Sequence, residues 1–239
     1  MILEEVKAKD LYLEFIYKLK HKINFSFVCY NDGEWMCMLS IYPQFNIIKK
    51  RHPNLKVVEY AKHLLKIIES KPKYYIGIQP LSIEMWPGKL DYLIDDLPNW
   101  CNSDSFHNAS IQDKLDIFCD IIKERCKEHK VVFVGPPYLV DLKFNAYYVS
   151  IPPKECWDDE ENVKRKINEV LERTGIDNTV FLYSASFLGL KLIDDYYNLY
   201  GDRITQVDMG TTWEPYLGIN TRRYHQGVID RIKNKSLNK

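Results

Sequence analysis

Two acids two positions apart, Asp32 and Glu34, enclose Gly33 directly after the run Ile23-Asn24-Phe25-Ser26-Phe27-Val28-Cys29-Tyr30 and Asn31. Carboxylates at this spacing offer hard oxygen ligands suited to Mg2+ or Mn2+, and a glycine between them lets a ligand come close to the backbone. The run before them is rich in β-branched and aromatic residues. It predicts a strand over 23–30 whose carboxyl end delivers the acids, which is where open α/β folds bind ligands. The pattern is short, however, and Asp158-Asp159-Glu160-Glu161 contains it as well, where acids open a helix and favour its positive end. A turn with solvated acids at 31–34 is the other reading of the same residues.

Three further junctions carry residues that hold anions or move protons. The nearly continuous apolar run 130–134 predicts a strand covered on both faces, and it ends at Gly135-Pro136-Pro137, a turn whose backbone can line a cleft. A strand over 179–183 leads into Ser184-Ala185-Ser186 and a helix running to Tyr200, where short hydroxyl residues suit either a phosphate or ordinary capping. A last strand over 203–207 delivers Asp208-Met209-Gly210-Thr211-Thr212-Trp213-Glu214. If the strands are parallel, all these turns share one edge of one sheet.

The elements that would position them follow from periodicity. Helices are expected over 3–20, 55–70, 111–129 and 158–174, the last stopped by Gly175, with further strands over 73–78 and 146–151. Residues 81–110 lose this pattern and read as an irregular acceptor-binding or lid segment, and 219–239 as a basic tail carrying Arg222, Arg223, His225, Arg231, Lys233, Lys235 and Lys239. Strands and helices alternate without a linker or repeat. The expected fold is therefore α/β, a single Rossmann-like domain over 1–239 with a mostly parallel sheet flanked by helices.

Composition bounds the classes. The chain is 46% hydrophobic and 28% charged, as soluble globular proteins are, and its 33 basic and 33 acidic side chains leave no footprint of a general nucleic-acid binder. No run is long enough to span a bilayer, and Met1-Ile2-Leu3-Glu4-Glu5 lacks the basic start and apolar core of a secretory signal, which suggests a cytoplasmic protein. The six cysteines form no C-x-x-C pair and are expected to be buried thiols.

Three blocks in order resemble the GT-D-type glycosyltransferases, first recognised among bacterial enzymes that elongate glycans on serine-rich adhesins. They are Cys29-Tyr30-Asn31-Asp32-Gly33-Glu34, Phe181-Leu182-Tyr183-Ser184-Ala185-Ser186 and Val207-Asp208-Met209-Gly210-Thr211. The resemblance implies an enzyme that takes a nucleoside-diphosphate sugar as donor with a divalent cation, Mn2+ or Mg2+, near Asp32 and Glu34. Donor contacts would fall on Asn31, Gly33, Gly135, Pro136, Ser184, Ser186, Gly210 and Thr211, and Asp208 or Glu214 would deprotonate the acceptor hydroxyl or bind the sugar. The acceptor would be a glycan or glycoprotein. A modified base in DNA, suggested by the basic tail and an AT-biased composition, and a non-catalytic nucleotide- or sugar-binding module on the same fold are the alternatives. The chain departs from the family where Cys29-Tyr30 replaces Arg-Phe, where Asn31 replaces Gly, and where Thr211 stands in place of a common His.

Overall fold

A computed structural model describes residues 2–39, 55–86, 94, 97–153 and 155–237. Its centre is one parallel sheet of seven strands: β1 (Ser26–Tyr30), β2 (Tyr75–Ile78), β3 (Trp100–Asn102), β4 (Val131–Gly135), β5 (Tyr147–Ser150), β6 (Val180–Tyr183) and β7 (Thr205–Asp208), in the spatial order β3-β2-β1-β7-β6-β4-β5. β1, β4, β6 and β7 are buried along their whole length, as expected of strands covered on both faces.

The helices are α1 (Ile2–Ala8), α2 (Tyr12–Lys20), α3 (Asp32–Leu39), α4 (Leu55–Glu69), α5 (Pro80–Met85), α6 (Ser105–Ile111), α7 (Leu115–Lys127), α8 (Glu160–Thr174), α9 (Ser186–Tyr200) and α10 (His225–Leu237). One face of the sheet packs Val28, Tyr30, Val134 and Phe181 against Trp35, Leu64, Ile68, Ile167, Leu188 and Ile193 of α3, α4, α8 and α9. The other packs Phe27, Phe133, Leu182 and Val207 against Phe15, Phe106, Phe118 and Ile122 of α2, α6 and α7. The alternation of inward side chains along each strand thus feeds two cores. Among the described residues, no helix is long and apolar enough to cross a membrane.

The strand order fixes where a ligand can sit. From β1 the chain steps outward to β2 and β3, and later returns to fill the other side up to β7. β1 and β7 are neighbours, about 4.8 Å apart, and the chain leaves them in different directions; in open α/β sheets such a point, at the carboxyl ends of the strands, is where a ligand crevice is expected. Register places Tyr30, Ile78 and Asn102 level on one side, and Asp208, Tyr183, Val134 on the other.

Several expectations change. The opening helix is two, because the Lys9 carbonyl accepts the N–H of Asn102 at 2.9 Å and the Asp10 carboxylate accepts the N–H of Tyr12 at 3.0 Å, so the backbone leaves the helical ladder. The stretch 81–110 holds most of α5, β3 and most of α6; within it 87–93 and 95–96 lie outside the described residues. The basic tail is a folded helix, with Val228 and Ile229 buried and Arg231 donating to the Ser110 carbonyl at 3.0 Å. The cysteines, by contrast, are the free thiols expected, all buried except Cys119, which is partly accessible.

Candidate functional site

β1 passes into α3 without a loop. Asn31 caps the helix, Asp32 is its first residue, and the Trp35 N–H already bonds the Asn31 carbonyl at 3.1 Å. Glu34 sits in the third helical position and turns back, its Oε2 accepting the Asn31 N–H at 2.9 Å, the acidic half of a capping box. The Trp35 indole N–H donates to the Tyr30 carbonyl at 3.0 Å and pins the first turn to the strand end. The reading of a turn with solvated acids is thus corrected: Glu34 is buried and closes a helix start at the carboxyl end of β1.

Asp208 faces it from β7. Its Oδ2 accepts the Cys29 N–H at 3.2 Å and its Oδ1 the Gly210 N–H at 3.0 Å, so the carboxylate straps β1 to the turn after β7. Gly210 has φ +49, a conformation in which a side chain would be strained. Burial lifts both acids to about 7. For Glu34 the charge of Asp208 adds to that lift, and backbone N–H groups oppose it in each case. Among the described residues neither acid meets a Lys, Arg or His. Two mutually repelling buried carboxylates with no cationic partner are an unbalanced arrangement.

The rim of the crevice was missed by sequence reasoning. The Gln79 amide oxygen takes the Asp32 N–H at 2.9 Å, and the Ser103 hydroxyl donates to the Asn31 Oδ1 at 2.9 Å. Asp104, lifted by burial to about 6, follows Ser103. The Tyr224 hydroxyl lies 3.3 Å from the Thr211 hydroxyl and 3.1 Å from Nδ1 of His107, whose pKa burial lowers to about 4. A neutral histidine therefore stands near Thr211, supplied by α6. The only sequence trace of this rim was the turn chemistry around 102–105.

The remaining expected residues fall into three groups. Ser184 and Ser186 lie at the end of β6, beside β7, and neither caps α9: Ser184 Oγ is buried without a partner and Ser186, exposed, has φ +48. Gly135 is explained by packing, since a Cβ there would lie 2.4 Å from Leu139 Cδ1 and 3.2 Å from the Ser184 carbonyl oxygen; Pro136 accepts the Leu139 N–H that forms the same turn. Glu214 has other work. It is buried, accepting the Tyr138 hydroxyl at 3.0 Å and the Thr221 hydroxyl, with His225 Nδ1 3.7 Å away, and so it ties the segment before α10 to the end of β4.

No family model, curated protein or solved structure matches this chain. Asp32, Glu34 and Asp208 do not form a compact ligand set. Among the described residues, the set of three ligating side chains with atoms within 4.8 Å of one another is His63, Asp194 and Asp195, on α4 and α9. Its acids are already matched, Asp194 by the Tyr74 hydroxyl at 2.9 Å and Asp195 by Lys191 at 2.7 Å and Lys164 at 2.8 Å. A cleft of about 460 Å3 between Tyr60 and Trp157 is lined by Glu59, Asp158, Asp159, Glu160 and Glu161, a charge that repels a diphosphate.

Proposed function

We propose that the chain is a metal-dependent glycosyltransferase that takes a nucleoside-diphosphate sugar at the β1/β7 crevice and passes the sugar to a glycan or glycoprotein hydroxyl. The observation that carries the reading is the pair Glu34 and Asp208, buried at the switch point, lifted to about 7, and without a cationic partner among the described residues. A cation relieves that repulsion, and oxygen-rich sites with few protein ligands suit Mg2+ or Mn2+, which complete their shells with water and phosphate. Glu34 with Asp32 would hold the ion, whose chemistry is to neutralise charge growing on the departing diphosphate.

The protein's own groups divide the remaining work. Asp208, anchored by two backbone N–H groups and poised near neutrality, accepts the proton of the acceptor hydroxyl. Ser184 Oγ and the first turn of α9 offer donors to phosphate one strand beyond β7. Asn31, held by Ser103, and Gly33 form the floor.

Gly33 tests the site cheaply. An added Cβ meets nothing within 4 Å, so no protein contact demands a glycine at this helical position. Gly33→Ala should gain up to about 1 kcal/mol of stability from helix propensity. Because the methyl group stands where the donor approaches, it should also weaken donor binding; a variant that is stabilised and binds normally would place the donor elsewhere.

The direct test is release of nucleoside diphosphate from a panel of nucleotide sugars, with and without Mn2+, in the absence of acceptor. Slow, metal-dependent hydrolysis of one donor is expected, removed by EDTA and by Glu34→Gln. Binding without turnover would favour the non-catalytic module, and neither binding nor turnover across the panel would refute the reading.

A further inference from the structure

The segment leading into α10 brings positive charge to this acidic crevice. Arg222 and Arg223 are exposed, and among the described residues neither guanidinium meets a carboxylate, although the chain supplies 33 acids. Their backbone is fixed. The Arg222 carbonyl accepts the His225 N–H at 2.9 Å, His225 is fully buried, and Tyr224 sits on Thr211 and His107 through its hydroxyl. Thr211 follows Gly210, the residue whose N–H holds Asp208. Arg222 is close enough to His107 to help keep that ring neutral, and Tyr224 in turn feels the charge of Asp104. The arginine pair thus precedes a tyrosine whose hydroxyl reaches Thr211 in the turn after Asp208, and His107 of α6.

We infer that Arg222 and Arg223 are an anion clamp for the diphosphate of the donor; this rests on the donor-site reading given above. Guanidinium groups bind phosphate oxygens in bidentate fashion, and a pair left without carboxylate partners beside a cation-seeking crevice is matched by a ligand carrying both a divalent cation and a diphosphate. The acids and the arginines would then be neutralised by one ligand.

The test is calorimetric titration of the full chain with inorganic pyrophosphate in the presence of Mn2+. Arg222→Gln and Arg223→Gln should each weaken binding roughly tenfold and the double variant about a hundredfold. Lys233→Gln, which removes the same charge from an exposed position on α10, should change it less than about twofold, and all four variants should melt as the wild type does. Equal binding by the wild type and the double arginine variant would overturn the clamp and leave the donor site standing. An equal loss in Lys233→Gln would reduce the effect to general charge and also overturn it. Failure of the wild type to bind pyrophosphate, with or without Mn2+, would remove both readings together.

Discussion

Asp208→Asn is expected to lower turnover by about 10²- to 10⁴-fold, the contribution of a positioned general base, while the protein becomes more stable at alkaline pH. In the unfolded chain Asp208 ionises near its ordinary value of 3.8, whereas in the folded chain burial lifts it to about 7. Below pH 4 both states hold the proton and the residue contributes nothing to the pH dependence. As pH rises from about 4 to about 7, the unfolded chain releases its proton and the folded chain keeps it, so stability falls through that window and stays reduced above it. At about 1.4 kcal/mol per unit the penalty is a few kcal/mol, against about 1 kcal/mol for the backbone N–H bond that an asparagine cannot reproduce. The variant should therefore melt several degrees above the wild type at pH 8 and no higher than it at pH 4. Full activity in Asp208→Asn would remove the residue from the chemistry; a melting temperature lowered at pH 8 would show that the carboxylate is not under electrostatic strain.

The second large effect is at Gly77 in β2. A Cβ there would lie 2.8 Å from the Ser103 Cα, 2.8 Å from Phe27 Cε2 and 2.9 Å from the Val28 carbonyl oxygen, two of them backbone atoms that cannot swing aside. Gly77→Val must separate β1, β2 and the end of β3, at a cost of about 3 kcal/mol, or roughly 10 °C in melting temperature. The same displacement moves Ser103 away from Asn31, so donor affinity should fall in whatever fraction remains folded. Urea and thermal melts decide it: a shift of less than 2 °C would mean that the packing between these strand ends is looser than described.

Periodicity carried most of the fold. The runs at 130–134 and 179–183 are apolar because helices cover both of their faces, and the helix stopped at Gly175 ends there because φ is +70. What failed was short or tertiary in origin. β3 spans three residues, too few for any alternation, and exists because Ile76 and Ile78 lend it partners. The break between α1 and α2 depends on Asn102 taking the Lys9 carbonyl, a pairing that no local pattern announces. The stretch 219–239 read as a basic tail because its basic residues outnumber Val228 and Ile229, which bury the helix.

The site was legible only in part. Asp32-Gly33-Glu34 and Asp208 stood out because carboxylates at strand ends are conspicuous, and the parallel order brings β1, β7 and β6 side by side. The spacing did not reveal that Glu34 also caps its own helix, or that Glu214 is consumed by Tyr138 and Thr221. Nor could it reveal Ser103, His107 and Tyr224, which reach the rim from elements 70 residues and more from Asp32.

Glu34 is proposed to help hold a divalent cation between β1 and β7. Calorimetric titration with Mn2+ at pH 7.5 on the wild type, Glu34→Gln and His63→Ala tests it most directly, because glutamine preserves the helix cap while removing the charge. A single bound ion is predicted for the wild type, unchanged in His63→Ala and weakened roughly tenfold or more in Glu34→Gln. Unchanged binding in Glu34→Gln, or loss in His63→Ala instead, would contradict it.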